Sequence, residues 1–536
     1  MQRLMGVVAA VTALGLGPVS CSSSSKKQAD LFSPSALVAA ASGLESQLRA
    51  AEAAWPAATA ADATPEARAV YNREVAKVLD TIQNSRLGIP WEKPFTTPKY
   101  TLRFAPGAIN SPLREIYNLT EAVQASDVPL KNASRRIEGA GLGVACVTVR
   151  QRDTEIVKTS RFVPPNGRWL PSNFLIDFSE PGMPEARFYN TQTAQTTVLN
   201  GRQTPLAYDF TAGLELSLGS KFLKKLGLSG LLNPAGAADN AGLFMTEAYN
   251  PQRIPVIMVH GLASDPHIWQ NVMNEILGDP VLRERYQLWY FLYPTGLPVA
   301  GTSNRLRLAI QAAAETFDPE HDDAALRKMV IIGHSMGGLL SRMQVIDSGN
   351  DIWGSYFAVP PEKLDVDPEK RKMLRDAMFF KRSPYIKRTV FVATPHRGSE
   401  IADLKIVQWA VKFIRLPLDL ANLTSEFAQL DMSFFNPELR KFKAFGTRSV
   451  DNLSPQHPLL HGMNNRPLTV PHHSIIGNRG KSGPLETSSD GIVPYSSARV
   501  ETALSEKIVP APHSCVQHPQ VAEEVVRILH QHLQSK

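Results

Sequence analysis

"VIIGHSMGGLLSR", residues 330–342, decides how the rest of the chain reads. The apolar run Val330, Ile331 and Ile332 leads into Gly333, His334, Ser335, Met336 and Gly337, and a helical pattern begins at once with Gly338, Leu339 and Leu340. This is G-x-S-x-G set between a buried strand and a helix, the context that makes the motif specific. A serine on such a tight turn projects its Oγ clear of the sheet. Its crowded backbone requires neighbours of little bulk, and Gly333 and Gly337 remove the Cβ atoms that would clash. The helix that follows aims its first amides at the space beside the hydroxyl, where its dipole favours developing negative charge.

Outward from this turn, apolar runs of strand length alternate with helical segments: "PVIMVHG", "LWYFLYP", "NRLRLAIQAAAETF", "RTVFVATPH" and a final "PQVAEEVVRILHQHL". Continuous apolar strands between helices predict a mostly parallel central sheet with helices on both faces, and sites in such sheets lie at the carboxyl ends of the strands. From about residue 254 onward the chain resembles the α/β-hydrolases of the lipase and esterase type. The resemblance implies a chain order of serine, acid and histidine. "SSDGIVPYSSA" carries Asp490 in a turn where such enzymes keep the acid. "IVPAPHSCVQHPQ" offers two bases: His513, after a strand-like run, is the first candidate, and His518, beside Pro519, is the alternative. For the oxyanion hole the resemblance points to the amides of Met336 and Leu262, with Gly261 permitting close backbone approach and His260 packed to order the loop. His396 and Arg397 in "VFVATPHRGS" are expected to shape a loop facing the site.

The implied activity is hydrolysis of carboxylic esters, lipid or acyl esters among them, through an acyl-enzyme and without a cofactor. The same three residues would serve an acyltransferase, and a non-catalytic envelope protein could keep the fold as a binding module. An apolar helical insertion at about residues 399–445 would lie beside the site, either as a movable cap or as an ordinary packed helix pair. The basic stretch 368–382 is either a solvated face or one that lies on anionic lipid.

The 536 residues suffice for two or three domains, and the net charge of +7 is mild for that length. No Lys/Arg block resembles a nucleic-acid-binding arm. Residues 1–21 have the layout of a secretion signal, with Arg3, an apolar run and small residues before Cys21. "PVSC" resembles a bacterial lipobox in which Pro18 replaces the usual aliphatic residue, so Cys21 is the candidate lipidation site, with residues 22–32 as a flexible tether. Plain secretion and an uncleaved anchor are the alternatives. The expected setting is the bacterial cell envelope, with a membrane partner through the lipid anchor, an ester or lipid substrate and no nucleic acid. Residues 33–245 read as a mixed α+β accessory region, helical and then β-rich, and residues 250–536 as the catalytic domain. Cys146 and Cys515 either pair in an oxidising compartment or stay as buried thiols. His457 and His461 are four apart and His472 and His473 are adjacent, but Pro458 and Pro471 argue against a continuous helix presenting ligands on one face, and no cysteine or acidic residue completes a tetrahedral metal site. No phosphate-binding loop is found, because "GNRGKSG" lacks the Walker spacing.

Overall fold

The computed structural model describes residues 34–84, 94–105, 119–150, 157–221, 223, 240–399, 430–442, 451–479 and 483–535. The signal and tether (1–32), residues 231–239 (most of the Gly/Ala-rich stretch 231–242, which reads as a linker) and most of the 399–445 insertion lie outside the described residues.

The first half opens with two helices, α1 (Pro34–Thr59) and α2 (Pro65–Asn84). Leu44, Leu48, Ala51 and Trp55 recur at helical spacing on α1, and Tyr71, Val75, Val78 and Ile82 do so on α2. These stripes bury against one face of a six-stranded sheet. Its strands are β1 (Phe95–Thr96), β2 (Thr101–Phe104), β3 (Leu119–Gln124), β4 (Val144–Arg150), β5 (Arg168–Asp177) and β6 (Glu185–Asn190), in the order β1-β2-β6-β5-β4-β3. All neighbours are antiparallel except β2 and β6.

Two boundaries differ from the sequence reading. "LAYDF" reads as strand, yet only Tyr208 and Asp209 pair. The Asp209 carboxylate accepts a hydrogen bond from the Ala212 amide at 2.9 Å and so caps α3 (Phe210–Ser217). The sheet of the second half also starts earlier than residue 250: β7 (Gly242–Met245) pairs antiparallel with β9, Gly242 opposite Leu292 and Met245 opposite Trp289. A four-residue edge strand shows too little periodicity to separate it from a linker.

The remaining strands are β8 (Ile254–Val259), β9 (Tyr286–Leu292), β10 (Met329–His334), β11 (Ile386–Val392), β12 (His472–Gly477) and β13 (Ser505–Val509). They join in the order β7-β9-β8-β10-β11-β12-β13, parallel throughout except β7. Side chains alternate across the sheet. Ile257, Val259 and Ile331 meet α5 (Val299–Phe317) and α6 (Met336–Arg342) on one face. Val256, Met258, Val330 and Ile332 meet α3, α4 (Gln270–Gly278) and α8 (Pro519–Gln534) on the other. A further helix, α7 (Pro368–Met378), carries the basic stretch and buries Leu374, Ala377 and Met378. This is a mostly parallel sheet with helices on both faces, as the sequence predicts. The chain leaves β8 toward β9 and returns to β10 on the other side, so a crevice opens at the carboxyl ends of β8 and β10, the switch point where ligands bind in such sheets.

Cys146 and Cys515 are both buried free thiols, one in each half, and burial pushes the Cys515 thiol up to about 12. Among the described residues no helix is long and apolar enough to cross a membrane.

Candidate active site

Ser335 stands between β10 and α6 with φ 54° and ψ −126°, a left-handed backbone that side chains other than hydrogen rarely adopt. The turn closes because its neighbours lack Cβ atoms. One on Gly333 would come within 2.5 Å of the Gly337 carbonyl oxygen, and one on Gly337 within 2.3 Å of the carbonyl oxygens of Val259 and His260. The loop after β8 presses equally close: a Cβ on Gly261 would sit 2.9 Å from that of Ser335. Thus the segment carrying Gly261 and Leu262 and the start of α6 at Met336 both adjoin the serine, as the two proposed amide donors require.

The structure brings Ser335, His513 and Asp490 together. His513 Nε2 lies 2.8 Å from Ser335 Oγ, and Nδ1 lies 2.7 Å from Asp490 Oδ2. Asp490 is only 2% exposed, and its other oxygen accepts from the amides of Ile492 at 2.8 Å and Val493 at 2.7 Å. An ionised carboxylate accepts only, so Nδ1 carries the proton and Nε2 is left to accept from the serine hydroxyl. A cleft of about 540 Å³ opens beside this array, bounded by Ser264, His267, Arg479 and Gln517 among others.

The other singled-out residues sit elsewhere. His518 caps α8, its Nδ1 accepting from the Gln520 amide at 3.3 Å, and makes no contact with Ser335. His260 is buried, stacks on Tyr293 with ring centroids 4.4 Å apart, and has Nδ1 3.1 Å from the Gly261 oxygen. Burial lowers its pKa to about 4, so it stays neutral. His396 and Arg397 do shape loops, but they do not border the cleft beside the triad. His396 lies 3.2 Å from the guanidinium of Arg342, the last residue of α6, and Arg397 donates to the carbonyls of Ser496 and Arg499. His457 caps a short helix, accepting from the Leu459 amide. His472 meets Thr502, and His473 meets Ser505 and Arg388. Among the described residues no group of three or more His, Cys, Asp or Glu is placed to hold a metal.

One residue was missed. His334, inside the motif itself, lies with Nε2 2.9 Å from the carbonyl oxygen of His513, and the two rings are 5.0 Å apart. Burial, then the neighbouring His513, lowers its pKa to about 3. A neutral ring with its proton on Nε2 donates to that carbonyl and braces the turn that carries His513. Nothing in the motif signals this, because the partner is 179 positions away.

No protein-family model matches the chain, and no curated protein sequence matches it. Solved structures do match. The lipase BlEst2 of Bacillus licheniformis in its mature form aligns at 16% identity over 54% of this chain and 97% of that one, with a TM-score of 0.31. Staphylococcus hyicus lipase aligns at 12% identity over 53% and 97%, TM-score 0.33. Esterase B of Lactobacillus rhamnosis, solved with a tributyrin phosphonate inhibitor, aligns at 14% over 54% and 77%, TM-score 0.30. The matched share of this chain is about the size of its second half, and likenesses this distant say nothing about the substrate.

Proposed function

We propose that the protein is a serine hydrolase of carboxylic esters. The observation that carries the reading is the unbroken hydrogen-bond chain from Ser335 Oγ through the His513 imidazole to a buried Asp490, with spacings of 2.8 and 2.7 Å. In this mechanism Ser335 Oγ attacks the ester carbonyl while His513 Nε2 takes its proton. Asp490 holds the imidazole tautomer and stabilises the cation that forms. The amides of Leu262 and Met336 hold the oxyanion. His513 returns its proton to the leaving alcohol, and water then cleaves the acyl-enzyme by the same steps in reverse order. No step calls for a cofactor. The proposed substrates are acyl or lipid esters, and the proposed setting is the bacterial envelope with Cys21 as the lipid attachment point. Incorporation of radiolabelled palmitate that is lost in Cys21→Ala tests the anchor.

The reaction is tested with a panel of p-nitrophenyl esters and a fluorophosphonate probe on wild type and Ser335→Ala. Wild type should turn over the esters and take up one probe at Ser335, and the variant should do neither. Comparable turnover by both proteins discards the nucleophile. Product analysis with added alcohol separates hydrolysis from acyl transfer, since a transferase would put most of the acyl group on the alcohol.

A further inference from the structure

His513 opens a short 3₁₀ turn, His513–Gln517, which leads into α8. Its two ends are held from different directions. At the first, the His334 ring donates to the His513 carbonyl. At the second, Asn271 Nδ2 on α4 donates to the Gln517 carbonyl at 2.6 Å. Asn271 is buried, and its Oδ1 accepts at 2.7 Å from the amide of Ser134, a residue of the accessory domain. The side-chain amide can face only one way. Reversed, it would set N–H against N–H and C=O against C=O.

The accessory side of this contact is built rather than incidental. The amides of Lys131, Asn132 and Ala133 converge on one oxygen of Glu215 at 3.0, 2.8 and 3.0 Å, so the loop presents the next amide, that of Ser134, from a fixed position. The α4 side is equally regular. Asn271, Asn274, Glu275 and Gly278 fall at spacings of three, four and seven, which puts them on one helix face. Asn274 donates to the Arg135 carbonyl at 3.0 Å, and Glu275 takes the Arg135 guanidinium at 2.8 Å. Gly278 leaves room for Ile137, whose Cδ1 would be 2.5 Å from a Cβ there.

We infer that the accessory domain is a working part of the active site: through Asn271 it clamps the turn that carries His513 and so holds the imidazole between Ser335 and Asp490. Asn271 touches none of the reacting atoms and is a positioning residue. The hold itself is independent of the reaction; its effect on rate rests on the ester-hydrolase reading above. Its leverage comes from geometry, since a misplacement of about 1 Å between reacting groups costs on the order of 100-fold in rate.

The test uses the full chain and three variants. Asn271→Leu removes both hydrogen bonds. Asn271→Asp keeps the acceptor for Ser134 and sets a carboxylate oxygen against the Gln517 carbonyl. Arg135→Ala breaks the exposed ion pair one turn along α4 and leaves Asn271 alone. Hydrogen–deuterium exchange over residues 513–518 reads the hold without any substrate, and the split between kcat and KM on p-nitrophenyl butyrate reads its consequence. Both Asn271 variants should exchange this segment faster. They should lose about 10- to 100-fold in kcat with KM nearly unchanged. Arg135→Ala should change neither readout by more than about twofold. Unaltered exchange in folded Asn271→Asp, or unaltered kcat despite faster exchange, overturns the clamp. A wild type without ester turnover sinks the hydrolase reading instead, and the exchange comparison then decides the clamp alone.

Discussion

Replacing Asp490 by asparagine removes a charge while keeping the shape, and the surrounding hydrogen bonds dictate how the new amide must point. One carboxylate oxygen takes two backbone amides, from Ile492 and Val493, and the other faces His513 Nδ1 at 2.7 Å. An asparagine whose oxygen stays on the two amides presents its NH₂ to Nδ1. The reverse orientation would set that NH₂ against one buried and one partly buried N–H group, at about 1–3 kcal/mol for each buried one left unpaired. The first orientation therefore wins, and the imidazole must answer it by switching tautomer, with Nδ1 accepting and the proton on Nε2. That nitrogen then cannot take the proton of Ser335. We expect kcat to fall by about 10⁴, or roughly 5 kcal/mol of barrier. KM should stay within a few-fold, because no group that meets the substrate has changed. Initial rates on p-nitrophenyl butyrate measure it, with the variant prepared separately so that traces of wild type stay below the signal, and with circular dichroism confirming the fold. A kcat within tenfold of wild type would refute the role given to Asp490 and the tautomer argument with it.

Four buried histidines should make the fold sensitive to acid. Burial lowers His260, His473 and His532 to about 4 and His334 to about 3, while an unfolded chain binds these protons near pH 6.5. The stability they confer is complete above pH 6.5 and falls as the pH drops toward 4. Each loses about 2 kcal/mol between pH 7 and 5, and urea denaturation at the two pH values should show several kcal/mol of difference; equal midpoints would contradict the burial of these rings. His518→Ala should cost about 1 kcal/mol of stability through the lost α8 cap while leaving kcat intact, whereas His513→Ala should abolish turnover and leave the melting temperature nearly unchanged. Gly337→Ala drives a methyl group into two backbone carbonyl oxygens and should destabilise the fold by about 3 kcal/mol, read as a lowered melting midpoint; a soluble variant with wild-type stability would contradict the closeness of β8 and α6.

The features legible in the sequence were those whose signal is local and strong. The strands Ile254–Val259 and Met329–His334 are buried along their whole length and so appear as unbroken apolar runs. The elbow serine is announced by its glycines, and Asp490, and His513 ahead of His518, follow from the chain order that the resemblance implies once a turn and a loop of the right kind are found. What stayed hidden depends on partners far along the chain. The polar stripe of Asn271, Asn274 and Glu275 looks like an ordinary solvated helix face until the accessory loop is seen against it. His334 looks like a filler between Gly333 and Ser335 until the His513 turn folds over it. Asp209 reads as one polar residue in a strand-like run, because a cap is recognised only once the helix after it is known.

The backbone of Ser335, at φ 54° and ψ −126°, has a consequence for how this protein can evolve. Holding a residue with a Cβ in that region costs on the order of 1–3 kcal/mol, and glycine alone escapes the cost. A serine at this position is therefore kept against the interest of the fold that bears it. A lineage that ceased to need the proposed chemistry at Ser335 would gain robustness by mutating serine to glycine at this one codon, and would inherit a sturdier protein that kept the same bend.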